Sequence, residues 1–573
     1  MPTIPLTGRT PLALLLLLLA PLAHAQADYP PNASGGPLLM EEAAYDVRFY
    51  DLALEVDPEA RTIAGTLSMY ADVVVPTDRV VLDLDPPLDV ESVETVAGEA
   101  VDYERDGDRI WVALGRTMQP GEHLSLTIRY AGAPRVAPNP PWVGGFTWAR
   151  TADGRPWVGV SVQGEGADAW WPVKDHPSDE PDSMHVAVTV PAGLLAAANG
   201  QARGVEESAD GWTTYRYAVT NPINNYGVSL GVAPYEVVEA TYESPYGYQM
   251  PVRFYVLPER RADAERMLPQ FLDHVRFLED TLGPYGFRRD GYNVLHTPYL
   301  GMEHQSLIAY GDEFSDNEFG FDWLHFHELA HEWMANLVTA ADWRDMWVHE
   351  GFAEYLEALY AAELAERAGE DPHAAYLGYL VTKMRHRINN ARPVAPYQPT
   401  DSHGVYFGEN ARADGDIYFK GAWILHTLRF LLGDDAFFDG LRRITYPEGV
   451  GIARRDEGCA CRFVSTEDVQ YAFEQASGRD LDTFFHVYLR QPALPELAVE
   501  QTDAGLRLRW VLPEGALPEG EAFEVPVEVE SGGEVHRVEM AGGEGTLALA
   551  PGASYTVDPD RWLLRVEQPT GTP

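Results

Sequence analysis

Basic residues are scarce in this chain: 42 Lys and Arg stand against 88 Asp and Glu, a formal charge of −46. Such a field repels a phosphate backbone, which argues against a nucleic-acid partner, and the excess reads as a solubility feature. Long apolar runs are scarcer still. The one such run, Leu12 to Leu22 in "MPTIPLTGRTPLALLLLLLAPLAHAQ", is too short to span a bilayer as a helix. With Arg9 before it and Ala23-His24-Ala25 after it, the run has the form of an export signal cut after Ala25. That predicts a periplasmic or extracellular mature protein without a transmembrane segment. No cysteine stands at the cleavage site, which argues against a lipid anchor there. Only two cysteines exist, Cys459 and Cys461. A disulfide between them would close a very small ring, and a metal site on them would need ligands the sequence does not advertise. Internal repeats and long low-complexity linkers are absent as well.

What is present is apolar and aromatic material for several cores. At about one domain per 150 residues, a chain of this length holds three or four units. From Tyr45 to Glu236, short alternating runs such as "DRIWVALG" and "HLSLTIRYAG" predict an antiparallel sheet-rich domain. Helical periodicity begins at Pro258 and stops at Gly283-Pro284, then resumes over Leu324 to Val338, Trp347 to Arg367, Gly421 to Leu432 and Asp435 to Thr445. Ser465 with Asp468 three residues on predicts a capped helix. After "PALPEL" the pattern returns to strands, such as "LRLRWVLP" and "AFEVPVEVES", sufficient for a small β-sandwich. The expected architecture is a multidomain α+β protein. Residues 1–25 form the signal, 26–236 an N-terminal antiparallel β domain, 237–493 a mostly helical domain and 494–573 a C-terminal β-sandwich.

Within the helical part, "HELAHEW" puts His327 and His331 one turn apart on a single helix face, with Glu328 beside them. Two neutral imidazoles can share one ion there while the glutamate faces a water, the H-E-x-x-H arrangement of zinc peptidases. A catalytic zinc needs a third protein ligand and an open position. Nineteen positions beyond His331, with eighteen residues between, "DMWVHEGFAEYLE" supplies Glu350, carried back by a second helix. His349 is its neighbour, but adjacent helical positions point about 100° apart and share one ion poorly. His325 meets the same objection and is expected to pack beside the site.

"HELAHEWMANLVT" followed by "WRDMWVHEGFAEY" resembles the aminopeptidase N family of zinc metallopeptidases, the gluzincins that include the leukotriene hydrolases. The resemblance runs from about Tyr45 to Pro495 and implies a thermolysin-like catalytic domain. It implies one zinc per chain on His327, His331 and Glu350, with Glu328 as general base. "YLGMEHQSL" resembles the G-x-M-E-N segment whose glutamate, here Glu303, holds the substrate's free amine; Leu300 and His304 depart from that pattern. "DIYFKGAWILHTLR" places Tyr418 as the tyrosine that stabilises the tetrahedral intermediate. Gln163 matches a glutamine near the amine-binding carboxylate, and Glu357 a carboxylate that orients a ligand histidine. His349 stands where the family usually has Asn. The function implied is removal of N-terminal residues from peptides with a free N-terminus. A related zinc hydrolase, whether endopeptidase or epoxide hydrolase, and a non-catalytic binding protein are the alternatives.

Overall fold

Apolar residues at period two drive the first part of the chain into sheets. In Tyr45–Asp57 the buried positions run Tyr45, Val47, then Tyr50, Leu52, Leu54 and Val56, and the change of phase falls at a bulge between Val47 and Phe49. The computed structural model describes residues 33–311, 313–407, 414–448, 459–518 and 520–566. The expected leader, residues 1–25, lies outside them.

Tyr45–Asp57 lies inside a seven-stranded sheet, paired with Thr62–Val73 on one side and Ser183–Pro191 on the other. That last pairing is parallel, so the expected antiparallel sheet contains one crossover where the chain leaves and returns. A three-stranded sheet (Thr77–Asp83, Tyr103–Asp106, Arg109–Met118) and a four-stranded one complete this part, and their inner faces share one core. The four-stranded sheet includes Pro156–Ser161, which leads directly into Gln163.

Between this part and the helices stands a five-stranded mixed sheet: Glu236–Glu243, Gln249–Val256, Tyr292–His296, Ile308–Tyr310 and the edge strand Gly301–Met302. Sequence periodicity does not reveal the central strand of this sheet. Tyr292–His296 is buried at every position, so it shows no alternation. The edge strand ends beside Glu303.

The helices follow the periodicity closely, with Arg261–Leu282 closed by Gly283 at φ 108° and Thr466–Ser477 opened by the Ser465–Asp468 capping box. One differs. The expected helix through Val338 is α-helical only over Trp323–Ala330; after His331 the backbone passes into a wider π turn, with Met334 at φ −107°, ψ 60°. The sandwich strands form two three-stranded sheets, whose Leu508, Trp510, Val527 and Val529 join the same core as Phe326, Trp347 and Phe484 of the helical part. Cys459 and Cys461 are joined as a disulfide, their Cα atoms 5.2 Å apart. Among the described residues no helix is long and apolar enough to cross a membrane.

Two of the helices touch through their backbones. Trp347–Ala368 and Phe419–Leu432 meet at Gly351 and Gly421, where a Cβ on Gly351 would lie 3.0 Å from the Gly421 Cα and 3.0 Å from the Ile417 carbonyl. These glycines are one and three residues past Glu350 and Tyr418. Gly351→Ala should therefore force the two helices apart at a cost of about 1–3 kcal/mol. Thermal unfolding of the variant should show a lowered midpoint together with lowered activity; an unchanged midpoint would show that the close approach is not needed.

Candidate metal centre and active site

The histidine helix starts where the Asp322 side chain accepts the His325 backbone N–H at 3.0 Å, and every residue from Leu324 to Ala330 is buried. Its two histidines are held by different devices. His327 Nδ1 donates to Glu357 Oε1 at 2.8 Å, and Glu357 Oε2 in turn accepts from the Tyr379 hydroxyl. His331 Nδ1 donates to the Met334 carbonyl at 3.2 Å. That carbonyl belongs to the unwound turn. The break after His331 therefore supplies the hydrogen bond that orients its ring, a common use of π turns at functional sites. With both Nδ1 atoms donating, each neutral ring presents an Nε2 lone pair.

Those lone pairs converge. Nε2 of His327 and of His331 lie 3.5 and 3.4 Å from Glu350 Oε2, and the rings stand 4.8 Å apart at 86°. One donor atom from each of the three residues falls within 4.8 Å of the other two. Two imidazole nitrogens and one carboxylate oxygen, oriented by outer hydrogen bonds, match the donor set of a catalytic zinc. Burial alone would raise the Glu350 carboxyl, but the two imidazoles overcome it and hold the group below its ordinary range. Tyr406 also donates to Glu350, through Oε1 at 3.4 Å.

Glu328 is buried beside this triad. Burial pushes its carboxyl up to about 8, against the opposing pull of His327. Its Oε1 rests against Gly301, where a Cβ would approach to 2.5 Å, so the edge strand needs glycine there. Glu303, just past that strand, brings a carboxylate oxygen within 4.8 Å of donor atoms of Glu328 and His331. Gln163 reaches in from the N-terminal sheets and donates to Glu303 Oε1. Tyr418 precedes the Phe419–Leu432 helix, its ring nearly parallel to that of His327 with centroids 6.4 Å apart. Burial, then the Glu350 and Glu303 carboxylates, push its phenol well above the ordinary range, so it stays a donor.

His325 and His304 stand elsewhere. His325 stacks on Phe271 with ring centroids 3.5 Å apart and shares a hydrogen bond with His274 at 2.8 Å. His304 is fully buried, and neither ring nitrogen has a hydrogen-bond partner among the described residues. The structure adds three residues that no motif announces: Tyr379 on Glu357, Tyr406 on Glu350, and Tyr226, whose hydroxyl donates to Glu303 Oε1 at 3.2 Å. Tyrosine occurs 29 times in the chain, and nothing in local sequence separates these from the rest.

Comparison with known proteins agrees with this geometry. The Peptidase M1 N-terminal domain matches residues 47–226 and the Peptidase family M1 domain matches residues 316–488. The chain belongs to the M1 family of zinc metallopeptidases, the family of aminopeptidase N. Aminopeptidase N of Haemonchus contortus is 26% identical over 379 residues, covering 63% of this chain and 37% of that protein. Aminopeptidase N of Streptomyces lividans is 27% identical over 308 residues, covering 51% and 34%. The chain thus spans little more than a third of either relative's length. Among solved structures, an M1 zinc metallopeptidase mutant from Deinococcus radiodurans bound to a Tyr-Ser-Ala substrate superposes with a TM-score of 0.63 and 28% identity. The match covers 81% of this chain and 98% of that one.

The site predicts the metal behaviour of its variants. Metal analysis of the purified protein should find about one zinc per chain, and Glu350→Ala should lose it. Glu357→Gln should weaken zinc binding about 10- to 100-fold by freeing the His327 ring. Full zinc occupancy in Glu350→Ala would remove that residue from the ligand set.

Proposed function

We propose that this chain is an aminopeptidase that hydrolyses peptides one residue at a time from a free N-terminus. The position of Glu303 carries the proposal: its carboxyl group lies beside Glu328 and His331, where a cationic amine can pair with it. A peptide amine has a pKa of about 7.7–8.0, so at neutral pH most of it is a cation. Pairing that cation with Glu303 fixes which peptide bond meets the metal ligands. The aminopeptidase N relatives support the reaction, and the Tyr-Ser-Ala substrate on the Deinococcus protein supports peptides as the substrate class.

His327, His331 and Glu350 would hold the zinc, which supplies Lewis acidity to the scissile carbonyl when bound. Glu328 takes a proton from the attacking water and returns it to the departing amine. Tyr418 donates its hydroxyl proton in a hydrogen bond to the developing oxyanion, a contribution of about 3–4 kcal/mol in comparable sites. Gln163 holds the amine-binding carboxylate by donating to its Oε1.

N-acetylation removes the cation and adds bulk where the site should end. Acetylated peptides should react at least ~100-fold more slowly than their free-amine forms, the order set by a lost charge-assisted contact of about 3 kcal/mol. Glu303→Ala should cost the free-amine substrate most of that factor. Comparable cleavage of both substrates by the unaltered protein, at internal bonds, would make it an endopeptidase.

We also propose that the chain is exported, on the strength of Arg9, the Leu12–Leu22 run and Ala23-His24-Ala25. The active protein recovered from its native host should begin at Gln26 by intact mass. Retention of Met1 would contradict export by this signal.

A further inference from the structure

We infer that His349 is a positioning residue for substrate binding: through the Tyr226 hydroxyl it orients the carboxylate that receives the peptide amine. The inference rests on the role proposed for Glu303. His349 lies in the first turn of Trp347–Ala368, next to the ligand Glu350, and is buried. Its Nε2 stands 2.9 Å from the Ala340 backbone nitrogen, and Nδ1 stands 3.4 Å from the Tyr226 hydroxyl.

Counting donors fixes the direction of every bond in this chain. A backbone N–H can only donate, so Nε2 of His349 is an acceptor and carries no proton. The one ring proton of the neutral imidazole is then on Nδ1 and is donated to the Tyr226 oxygen. The Tyr226 hydroxyl has a single proton; the Gln163 amide also approaches it, as a donor, and the acceptor left is Glu303 Oε1 at 3.2 Å, a carboxylate oxygen. The donors run one way, from Ala340 N–H through His349 and Tyr226 to Glu303. The opposite tautomer would set the Nε2–H of His349 against the N–H of Ala340.

The far end of this relay is tightly framed. Glu303 Oε1 takes a second donor from Gln163, and the Glu303 carbonyl accepts from Asn336 Nδ2 at 3.0 Å. Asn224 Nδ2 holds Asn336 Oδ1 at 3.2 Å. The Tyr226 ring packs with Tyr299, Met302 and Ala309, so the phenol cannot swing away without disturbing the strand that carries Glu303. Two donors on one oxygen fix the plane of the carboxyl group and so the direction in which it meets a substrate ammonium. Ala340 ends the short strand Val338–Ala340, paired in parallel with Arg462–Val464, which anchors the near end.

Side-chain amides separate the two halves of the imidazole. The amide nitrogen of asparagine falls near the position of Nδ1, whereas the amide of glutamine reaches the position of Nε2. His349→Asn should therefore keep the donor to Tyr226, and His349→Gln should keep only the contact with Ala340. The measured quantity is the ratio of kcat/KM for a free-amine peptide to that for its N-acetylated form. That ratio should fall about 10-fold in Tyr226→Phe and in His349→Gln, mainly through KM, and should stay within about 2-fold in His349→Asn. The double variant Tyr226→Phe/His349→Gln should lose no more than either single one, because both break the same path. The 15N spectrum of labelled histidine should show His349 protonated at Nδ1. An unchanged ratio in Tyr226→Phe, multiplicative losses in the double variant, or a proton on Nε2 would each overturn the relay. Glu303→Ala measured alongside separates the two claims. If it abolishes the preference while the relay variants keep theirs, the relay fails and the role of Glu303 stands; if it keeps the preference, the role of Glu303 fails.

Discussion

A single carboxylate held between two imidazoles is the constraint around which this molecule is arranged. Glu350 Oε2 lies 3.5 Å from one Nε2 and 3.4 Å from the other, with all three side chains buried. Taking such groups out of water is costly unless each remaining polar atom is satisfied and the charges are paired. The structure meets that demand with Glu357 and Tyr379 behind His327, the Met334 carbonyl behind His331 and Tyr406 on the second oxygen of Glu350. The glycine contact between the two long helices then lets Tyr418 approach the same point.

The surroundings of Glu303 are built from different material. The ligands and Glu328 come from helices, whereas Glu303 follows an edge strand, and its two donors, Gln163 and Tyr226, come from the N-terminal part of the chain. The sheets that precede the helices thus supply the groups that hold Glu303. This division explains why the metal motif can be read locally while the surroundings of Glu303 are spread over residues 163–349.

The same division governs how much was legible in the sequence. His327, His331 and Glu350 stand at fixed intervals on helices whose apolar periodicity is plain, and Glu357 lies two turns beyond Glu350, so spacing alone aligns them. The helix break after His331 left no trace, because "HEWMANL" contains neither Gly nor Pro and the turn is imposed by tertiary contacts. The mixed sheet was hidden for a related reason: its central strand is buried on both faces and loses the period-two signal. Tyr226, Tyr379 and Tyr406 act through contacts between residues 22 to 77 positions apart. No local pattern encodes them.

X-ray absorption at the zinc edge of the purified protein reads this ligand set itself. The nearest neighbours of the zinc should be nitrogen and oxygen only, with the outer-shell scattering of two imidazoles and a carboxylate completing the protein ligands. A sulfur neighbour at about 2.3 Å, or scattering from fewer than two imidazoles, would contradict it.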